Sequence, residues 1–329
     1  MNDPRPAVLV TGGAGYIGSH TAMQLAAGGY TPVVYDSLLN GHREFVRWGP
    51  LEEGDIRDAP RVRDVIARHR PVAIIHFAAL IEVGESVKYP ERFYEVNVGG
   101  AATVIAAARR AGLRSFVFSS TCATYGTPER LPIAEDHPQR PLNPYGHSKL
   151  MVETMLREMD TAGEMNSVTL RYFNAAGAAE DGSIGEDHNP ETHAIPLILD
   201  AVAAQGAPFS IFGSDYPTRD GTAERDYVHV LDLADAHVLA LRHLIGGGKS
   251  RAYNVGTGHG TTVNELIAAV EATTGKPCPV QSKNRRPGDA AKLVADPRRL
   301  IEELGWRPTR DLGEILRTAW AWHRRRQGL

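Results

Sequence analysis

Ala7-Val-Leu-Val-Thr11 runs directly into Gly12-Gly-Ala-Gly-Tyr-Ile-Gly18, and the reading of this stretch decides the fold. Ala7 to Val10 is a short apolar run that reads as a buried strand. Ser19 to Ala27 reads as a helix, and Gly28-Gly29 stops it. Strand, glycine loop and helix in immediate succession form the context that a dinucleotide-binding turn requires. Two spacings fit: Gly13, Gly15 and Gly18 make G-x-G-x-x-G, while Gly12, Gly15 and Gly18 make a three-step series. Either lets the backbone turn tightly and lets a pyrophosphate approach the free N–H groups of the helix N-terminus.

The next segments extend the same unit. Thr31 to Tyr35 reads as a second strand closed by Asp36. A carboxylate there hydrogen-bonds both ribose hydroxyls and repels a 2′-phosphate, which favours NAD over NADP. Arg43 and Arg47 read as solvated surface charge. A weak strand at Pro50 to Glu53 precedes Gly54-Asp55-Ile56-Arg57, and Val62 to His69 reads as a helix. Val72 to His76 is a buried strand leading into Phe77-Ala-Ala79, whose small residues leave room for a cofactor. Tyr94 to Arg110 reads as one long helix containing Asn97, and Ser115 to Ser119 as a further strand. This alternation predicts a parallel, doubly wound α/β sheet.

Two places on this frame carry chemistry. Ser119, Ser120, Thr121 and Thr124 stand at a strand end facing the ligand crevice, and any of these hydroxyls can bond a substrate hydroxyl. Asn143-Pro-Tyr145-Gly-His-Ser-Lys149 opens a helix on which Leu150, Met151, Met155, Leu156 and Met159 recur at three- and four-residue steps. Tyr145 and Lys149, four apart, share one face. A free phenol titrates at about 10, and an adjoining ammonium lowers that toward a usable base. Tyr125 is a second phenol, ranked below Tyr145 because no lysine follows it four residues on.

Composition limits the alternatives. The 329 residues suffice for two lobes, and 42% apolar with 23% charged is ordinary globular material. A net charge of −3 gives no general pull toward nucleic acid or acidic membranes. Cys122 and Cys278 alone make no disulfide framework, which suits a cytoplasmic, reducing setting. Neither a signal peptide nor a membrane-length apolar run is read. The thirteen histidines show no H-x-x-x-H pair on a credible helix, so no metal is expected.

With these motifs in this order, the chain resembles the extended short-chain dehydrogenase/reductases, and among them the UDP-glucose 4-epimerase family. The resemblance runs nearly end to end, through Gly-Asp-Ile-Arg, His-Phe-Ala-Ala, Tyr-Gly-x-Ser-Lys, Arg-Tyr-Phe-Asn, Gly-Glu-Asp, Arg-Asp-Tyr-Val-His-Val and Arg-Pro-Gly-Asp. It implies a Rossmann-like NAD-binding domain over 1–176, with 226–256 packing back onto it, and a smaller mixed α/β domain for the UDP-sugar over 177–329. It implies tightly held NAD, a transient 4-keto sugar that turns over in the site, and a homodimer. Tyr145 is the implied base, Lys149 the partner that lowers its pKa and holds the nicotinamide ribose, and Thr121 the bridge to the 4-hydroxyl.

Implied NAD contacts are Gly12, Gly15, Tyr16, Ile17, Gly18, Asp36, Ser37, Leu38, Asn40, Gly41, Asp55, Ile56, Phe77, Ala78, Ala79, Asn97 and Phe173, besides the catalytic three. On the substrate side Asn174, Arg225, Tyr227 and Arg286 face the diphosphate or sugar, Ile211 and Phe212 flank uracil, and Asp289 meets the ribose. Asp181 to Pro190 is polar and turn-rich, a substrate-covering loop. The Gly256-Thr-Gly258 turn reads as structural. Three positions depart from the family. His193 stands where Asn is frequent, Ile81 where some members have Lys, and Leu293 where a Tyr narrows the sugar pocket. The last leaves UDP-GlcNAc/UDP-GalNAc open beside UDP-glucose/UDP-galactose, and the Ser120-Thr-Cys-Ala-Thr-Tyr125 run also resembles pentose epimerases acting on UDP-xylose and UDP-arabinose. A dehydratase on this scaffold needs an acidic pair after Thr121, and Cys122-Ala123 stands there instead. A non-catalytic NAD-binding protein would not need the intact Thr121/Tyr145/Lys149 set.

Overall fold

The computed structural model of the chain describes residues 5–204, 206–286 and 289–328. Its strands are β1 (Ala7–Thr11), β2 (Thr31–Asp36), β3 (Leu51–Glu53), β4 (Ala73–His76), β5 (Ser115–Thr121), β6 (Asn166–Tyr172), β7 (Asn174–Ala176), β8 (Phe209–Phe212), β9 (Glu224–His229), β10 (Arg251–Val255), β11 (Gly260–Thr262), β12 (Val280–Lys283) and β13 (Lys292–Leu293). One sheet runs β10-β6-β5-β4-β1-β2-β3. Each of its neighbouring pairs is parallel, as the alternation of strands and helices predicted. The order reverses between β1 and β4, and in such sheets the ligand crevice lies beyond the strand ends at that switch.

A parallel sheet is covered on both faces, which is why Ala7 to Val10 of β1 form an unbroken apolar run. Val8 and Val10 share one core with Leu25, Leu233, Leu241 and Trp306. Leu9 shares the other with Val62, Val65, Val104, Val152 and Leu156. The first core depends on the helix Val230–Ile245, and β10 completes the sheet edge, so residues 230–255 return to this layer from the second half of the chain. Ile195, Ile198, Leu266, Val270, Ile315 and Leu316 build a separate core beneath β8 and the small sheet centred on β9.

The expected helix over residues 94–110 is not uniform. Pro90–Phe93 leads into a π-helical segment, Tyr94–Gly100, and only Ala101–Arg110 is regular. A π turn inserts an extra residue and is common beside functional sites. Here it presents Asn97 to the loop after β4. The Asn97 Oδ1 accepts from Leu80 N at 2.8 Å, and its Nδ2 donates to Leu80 O and Ser148 Oγ, each at 3.0 Å. Apolar periodicity does not report a bond of this kind.

Candidate active site

The helix Pro144–Thr161 begins where the sequence dictates. Asn143 accepts from Gly146 N at 2.9 Å, and Pro144 occupies the first turn, where its missing N–H costs nothing. Val152 and Leu156 bury one face, while Met151 is 46% exposed. The helix is thereby held against the carboxyl end of β5, with Tyr145 and Lys149 facing one cleft. Lys149 Nζ donates to Ser119 O at 2.8 Å and lies 6.0 Å from the Tyr145 ring centre.

The hydroxyls left open by the sequence separate here. Ser120 Oγ donates to Glu153 at 2.5 Å and Thr124 Oγ1 to Thr121 O at 3.0 Å, both away from the cleft. Ser119 pairs with the Tyr172 phenol. Thr121 lines the cleft beside Tyr145 and accepts from Ala123 N at 3.1 Å. Tyr125 is 1% exposed and lies off the cleft. It donates to Asn254 Oδ1 at 2.7 Å and accepts from Arg171 at 2.9 Å, so it serves the core.

The electrostatics correct one expectation. Burial pushes the Tyr145 phenol well above 10, with Tyr172 adding to the rise and the Thr121 hydroxyl opposing it. Burial likewise pulls Lys149 down to about 7, against the pull of Glu153. The protein's own groups therefore keep the phenol protonated and the amine only part-charged at neutral pH, because burial disfavours both ions. Lowering the phenol needs a further positive charge beside it.

The cleft encloses about 1290 Å³, more than the few hundred to a thousand typical of a single small ligand. One end is the glycine loop. Gly12 has φ +72°, and a Cβ there would lie 2.5 Å from Ala78 N, so only glycine permits this turn beside the β4 loop. Gly18 packs against the Gly12 carbonyl, while a Cβ on Gly15 would meet nothing nearer than 3.4 Å. The Gly15 face is thus left open for a close-approaching group. Asp36 accepts from Ala14 N at 2.9 Å and Leu38 N at 2.8 Å, leaving lone pairs for a diol. Open backbone, a carboxylate at the end of β2 and small residues at Ala78 and Ala79 together fit a dinucleotide. Arg43 pairs with Glu53, and Arg47 bonds the Glu44 carbonyl at 2.9 Å; neither lines the cleft.

The other end is built from the second half of the chain. Arg225, Tyr227, Phe212, Asn174, Arg286, Asp289 and Leu293 line it. Arg225 bonds the Glu224 carbonyl at 2.9 Å and makes no ion pair among the described residues. Arg286 lies 4.6 Å over the Phe212 ring and meets Asp289 at 2.9 Å. Pro287 and Gly288 of that run lie outside the described residues. Leu293 packs with Cys122 and Phe173 on the cleft wall. Asp226 is buried in a different task. It accepts from Thr257 N at 2.8 Å, Gly258 N at 3.0 Å and Ala295 N at 3.1 Å, so the second glycine turn clasps a carboxylate of the chain itself.

Three expected contact residues do not line the cleft. Leu38 (φ 58°) packs with Ala14 and Val34 and reaches the site only through its N–H to Asp36. Asn97 clips the wall from behind. Ile211 packs into the C-terminal core, leaving Phe212, its neighbour on the opposite face of β8, to face the cleft. His193 sits at the N-cap position of the helix Ala194–Val202, lines the cleft and bonds Glu186 at 2.5 Å. Burial pulls its imidazole down, but Glu186, with Glu191 and Glu82, lifts it to about 9.

Two features escaped the sequence reading. Arg171 and Glu153 form a buried pair at 2.7 Å beneath the Tyr145 helix. A charged residue inside a strand covered on both faces requires such a partner, so Arg171 was a usable signal. The second is a group of two histidines and two glutamates within residues 186–193. Its spacing is that of a loop, outside any helical pattern.

Residues 8–256 match the NAD dependent epimerase/dehydratase family. A UDP-glucose 4-epimerase of Rhizobium leguminosarum bv. trifolii is 60% identical over 316 residues, covering 96% of this chain and 97% of that protein. A UDP-glucose 4-epimerase from Brucella ovis, solved in complex with NAD, superposes with a TM-score of 0.94 at 49% identity, covering 96% and 97% of the two chains. A UDP-glucose 4-epimerase from Stenotrophomonas maltophila, solved with NAD and formylated UDP-arabinopyranose, gives 0.96 at 40% identity over 98% and 99%.

Proposed function

The chain belongs to the NAD dependent epimerase/dehydratase family, and from that premise we propose that it interconverts UDP-galactose and UDP-glucose through a transient 4-keto sugar. The observation that carries this reading is the shared cleft. Glycine loop and Asp36 stand at one end, Arg225 and Arg286 at the other, and Thr121, Tyr145 and Lys149 between them. Bound NAD supplies a hydride acceptor that returns the hydride in the same turnover and, when oxidised, a positive charge.

The roles follow from the side chains. Tyr145 takes the proton of the sugar 4-hydroxyl, and Thr121 keeps that hydroxyl in line with the phenol. Lys149 stabilises the phenolate. The Arg225 and Arg286 guanidiniums offer planar forks to phosphate oxygens, with Asn174 and Tyr227 beside them. Phe212 stacks with the uracil, and Asp289 turns from Arg286 toward the ribose. The sugar wall carries few fixed polar groups, which lets a keto sugar turn while its diphosphate stays anchored. We assign the cofactor to residues 1–176 with 226–256, and the nucleotide sugar to 177–329.

Leu293 favours breadth. It occupies less of the wall than a Tyr, and the adjoining side chains are Cys122 and Phe173. N-acetylhexosamine and pentose substrates therefore belong to the same proposal. A dehydratase is disfavoured because Cys122, pushed up to about 12 by burial, keeps its proton beside Thr121. Among the described residues no helix is long and apolar enough to cross a membrane, and both cysteines are free. We place the protein in the cytoplasm, as the homodimer that the family resemblance implies.

The test is turnover of purified protein with UDP-galactose and no added NAD. UDP-glucose should accumulate to equilibrium, and Tyr145→Phe should abolish this while retaining bound cofactor. Product formation that consumes NAD in proportion would overturn the proposal.

A further inference from the structure

Glu186, His188, Glu191 and His193 each turn one ligand atom toward a common point, with those atoms all within 4.8 Å of one another. The His188 Nδ1 lies 3.5 Å from Glu186 Oε1 and 3.6 Å from Glu191 Oε2, and His193 Nδ1 lies 3.8 Å from Glu191 Oε1. Four ligands bonded tetrahedrally at about 2.0–2.2 Å stand roughly 3.3–3.6 Å apart. With Glu191 Oε2 as its ligand atom, the two edges from His188 match that spacing. The edge from His193 to Glu186, at 2.5 Å, is a hydrogen bond that a cation would open. His188 Nδ1 is buried without a hydrogen-bond partner, although two carboxylate oxygens face it. A buried nitrogen left so is an unmet acceptor or donor.

The surroundings hold this group in place. Glu191 Oε1 accepts from Thr192 N at 2.7 Å and His193 N at 2.8 Å, which fixes that carboxylate. Trp322 Nε1 donates to the Glu186 carbonyl at 2.9 Å, and the His188 ring meets Tyr16 edge-on at 6.4 Å. These contacts tie the loop to the C-terminal helix and to the glycine-loop helix. Outer partners of this kind orient metal ligands.

We propose that the 186–193 loop binds one divalent cation through two imidazoles and two carboxylates, with Zn²⁺ the best match, and that the cation pins this wall of the cleft. Mixed nitrogen and oxygen donors suit zinc and its first-row neighbours, while Mg²⁺ and Ca²⁺ prefer all-oxygen shells. Two carboxylates balance the charge of the ion. The inference does not depend on which sugar is turned over.

The test uses the full chain with its bound cofactor, freed of metal with a chelator and titrated calorimetrically with Zn²⁺, then with Co²⁺ as a spectroscopic probe. One equivalent of zinc should bind, and Co²⁺ should give the intense visible bands of a tetrahedral site. Glu191→Gln keeps the acceptor for the two backbone N–H groups, so its fold is preserved, and His188→Gln removes one nitrogen. Each should weaken zinc by at least about tenfold, and the double variant should abolish stoichiometric binding. His69→Gln, remote from the loop, should bind as the parent does. No stoichiometric zinc in the parent, or unchanged binding in the double variant, overturns the proposal.

Discussion

Replacing Lys149 by Met isolates the electrostatic part of the proposed proton transfer. The ammonium sits 6.0 Å from the Tyr145 ring centre. At an effective dielectric constant near 20 this separation is worth about 3 kcal/mol to the phenolate, or roughly 2 pK units. Removing the charge should raise the phenol by that amount in the cofactor-loaded protein. Below its pKa a base is available only as its ionised fraction, so kcat at neutral pH should fall by about 100-fold. The fall should depend on pH. The acid limb of kcat should move up by about 2 units, so the deficit should hold near 100-fold below the parent's limb and shrink about tenfold per unit above it. The assay is kcat for UDP-galactose against pH, with bound NAD quantified in each sample so that lost cofactor is not mistaken for lost base. Met keeps most of the aliphatic stem and removes the ammonium that lies 5.1 Å from the Phe118 ring centre. An acid limb left in place, with the same deficit above it as below, would refute the reasoning and leave Lys149 a positioning role alone.

Asp36→Ala should weaken NADH by about 10- to 100-fold, through the lost charged hydrogen bonds, and weaken NADPH less, as fluorescence titration of the two would show; an unchanged NADH/NADPH ratio would contradict the assignment. Leu293→Tyr should cut kcat/KM for UDP-GalNAc at least tenfold more than for UDP-galactose, because an N-acetyl group competes for the same wall; a parallel loss on both sugars would remove Leu293 from the specificity argument. Burial holds His20 and His237 down at about 4, and His76 and His229 at about 3. Their folded forms stay neutral while the unfolded chain takes up protons below about 6.5, so their contribution is complete above that pH and is lost as pH falls toward 4. With four such groups the slope reaches about 5 kcal/mol per pH unit, offset in part by Asp36 and Asp226, whose raised pKa values act oppositely. Urea unfolding between pH 7 and 5 checks this, and a flat stability over that range would refute it.

What the sequence made legible is what short-range physics enforces. Gly12, Gly15 and Gly18 are tied to their positions by backbone geometry, and Asp36 is tied to the end of β2, so a strand-loop-helix pattern locates all of them. Tyr145 and Lys149 are linked by helical spacing alone. What the sequence hid depends on partners far along the chain. Asn97 looks like an ordinary helix residue until Leu80 is placed against it. Glu153 resembles a solvated helix carboxylate until Arg171 arrives from β6. Asp226, flanked by the two better candidates Arg225 and Tyr227, turns inward to hold residues 257–258 and 295. His188 and His193 meet only because a loop folds back, and a search at helical spacing passes over them.

The sign of the Tyr145 shift has a consequence for how the site avoids idle chemistry. A phenol kept protonated by burial stands beside an amine pulled down to about 7, which is only part-charged at neutral pH. Such a pair does not attract water or stray protons into the cleft, and it leaves the sugar 4-hydroxyl without a strong base. Ionisation of Tyr145 then depends on positive charge beyond what Lys149, 6.0 Å from its ring centre, supplies alone. Glu153 counters part of the burial at Lys149, and its pairing with Arg171 limits how far it does so, since a bidentate partner takes up its field. The buried Arg171–Glu153 pair adds little net stability for its desolvation, and its place under the Tyr145 helix sets the field that reaches Lys149 from below.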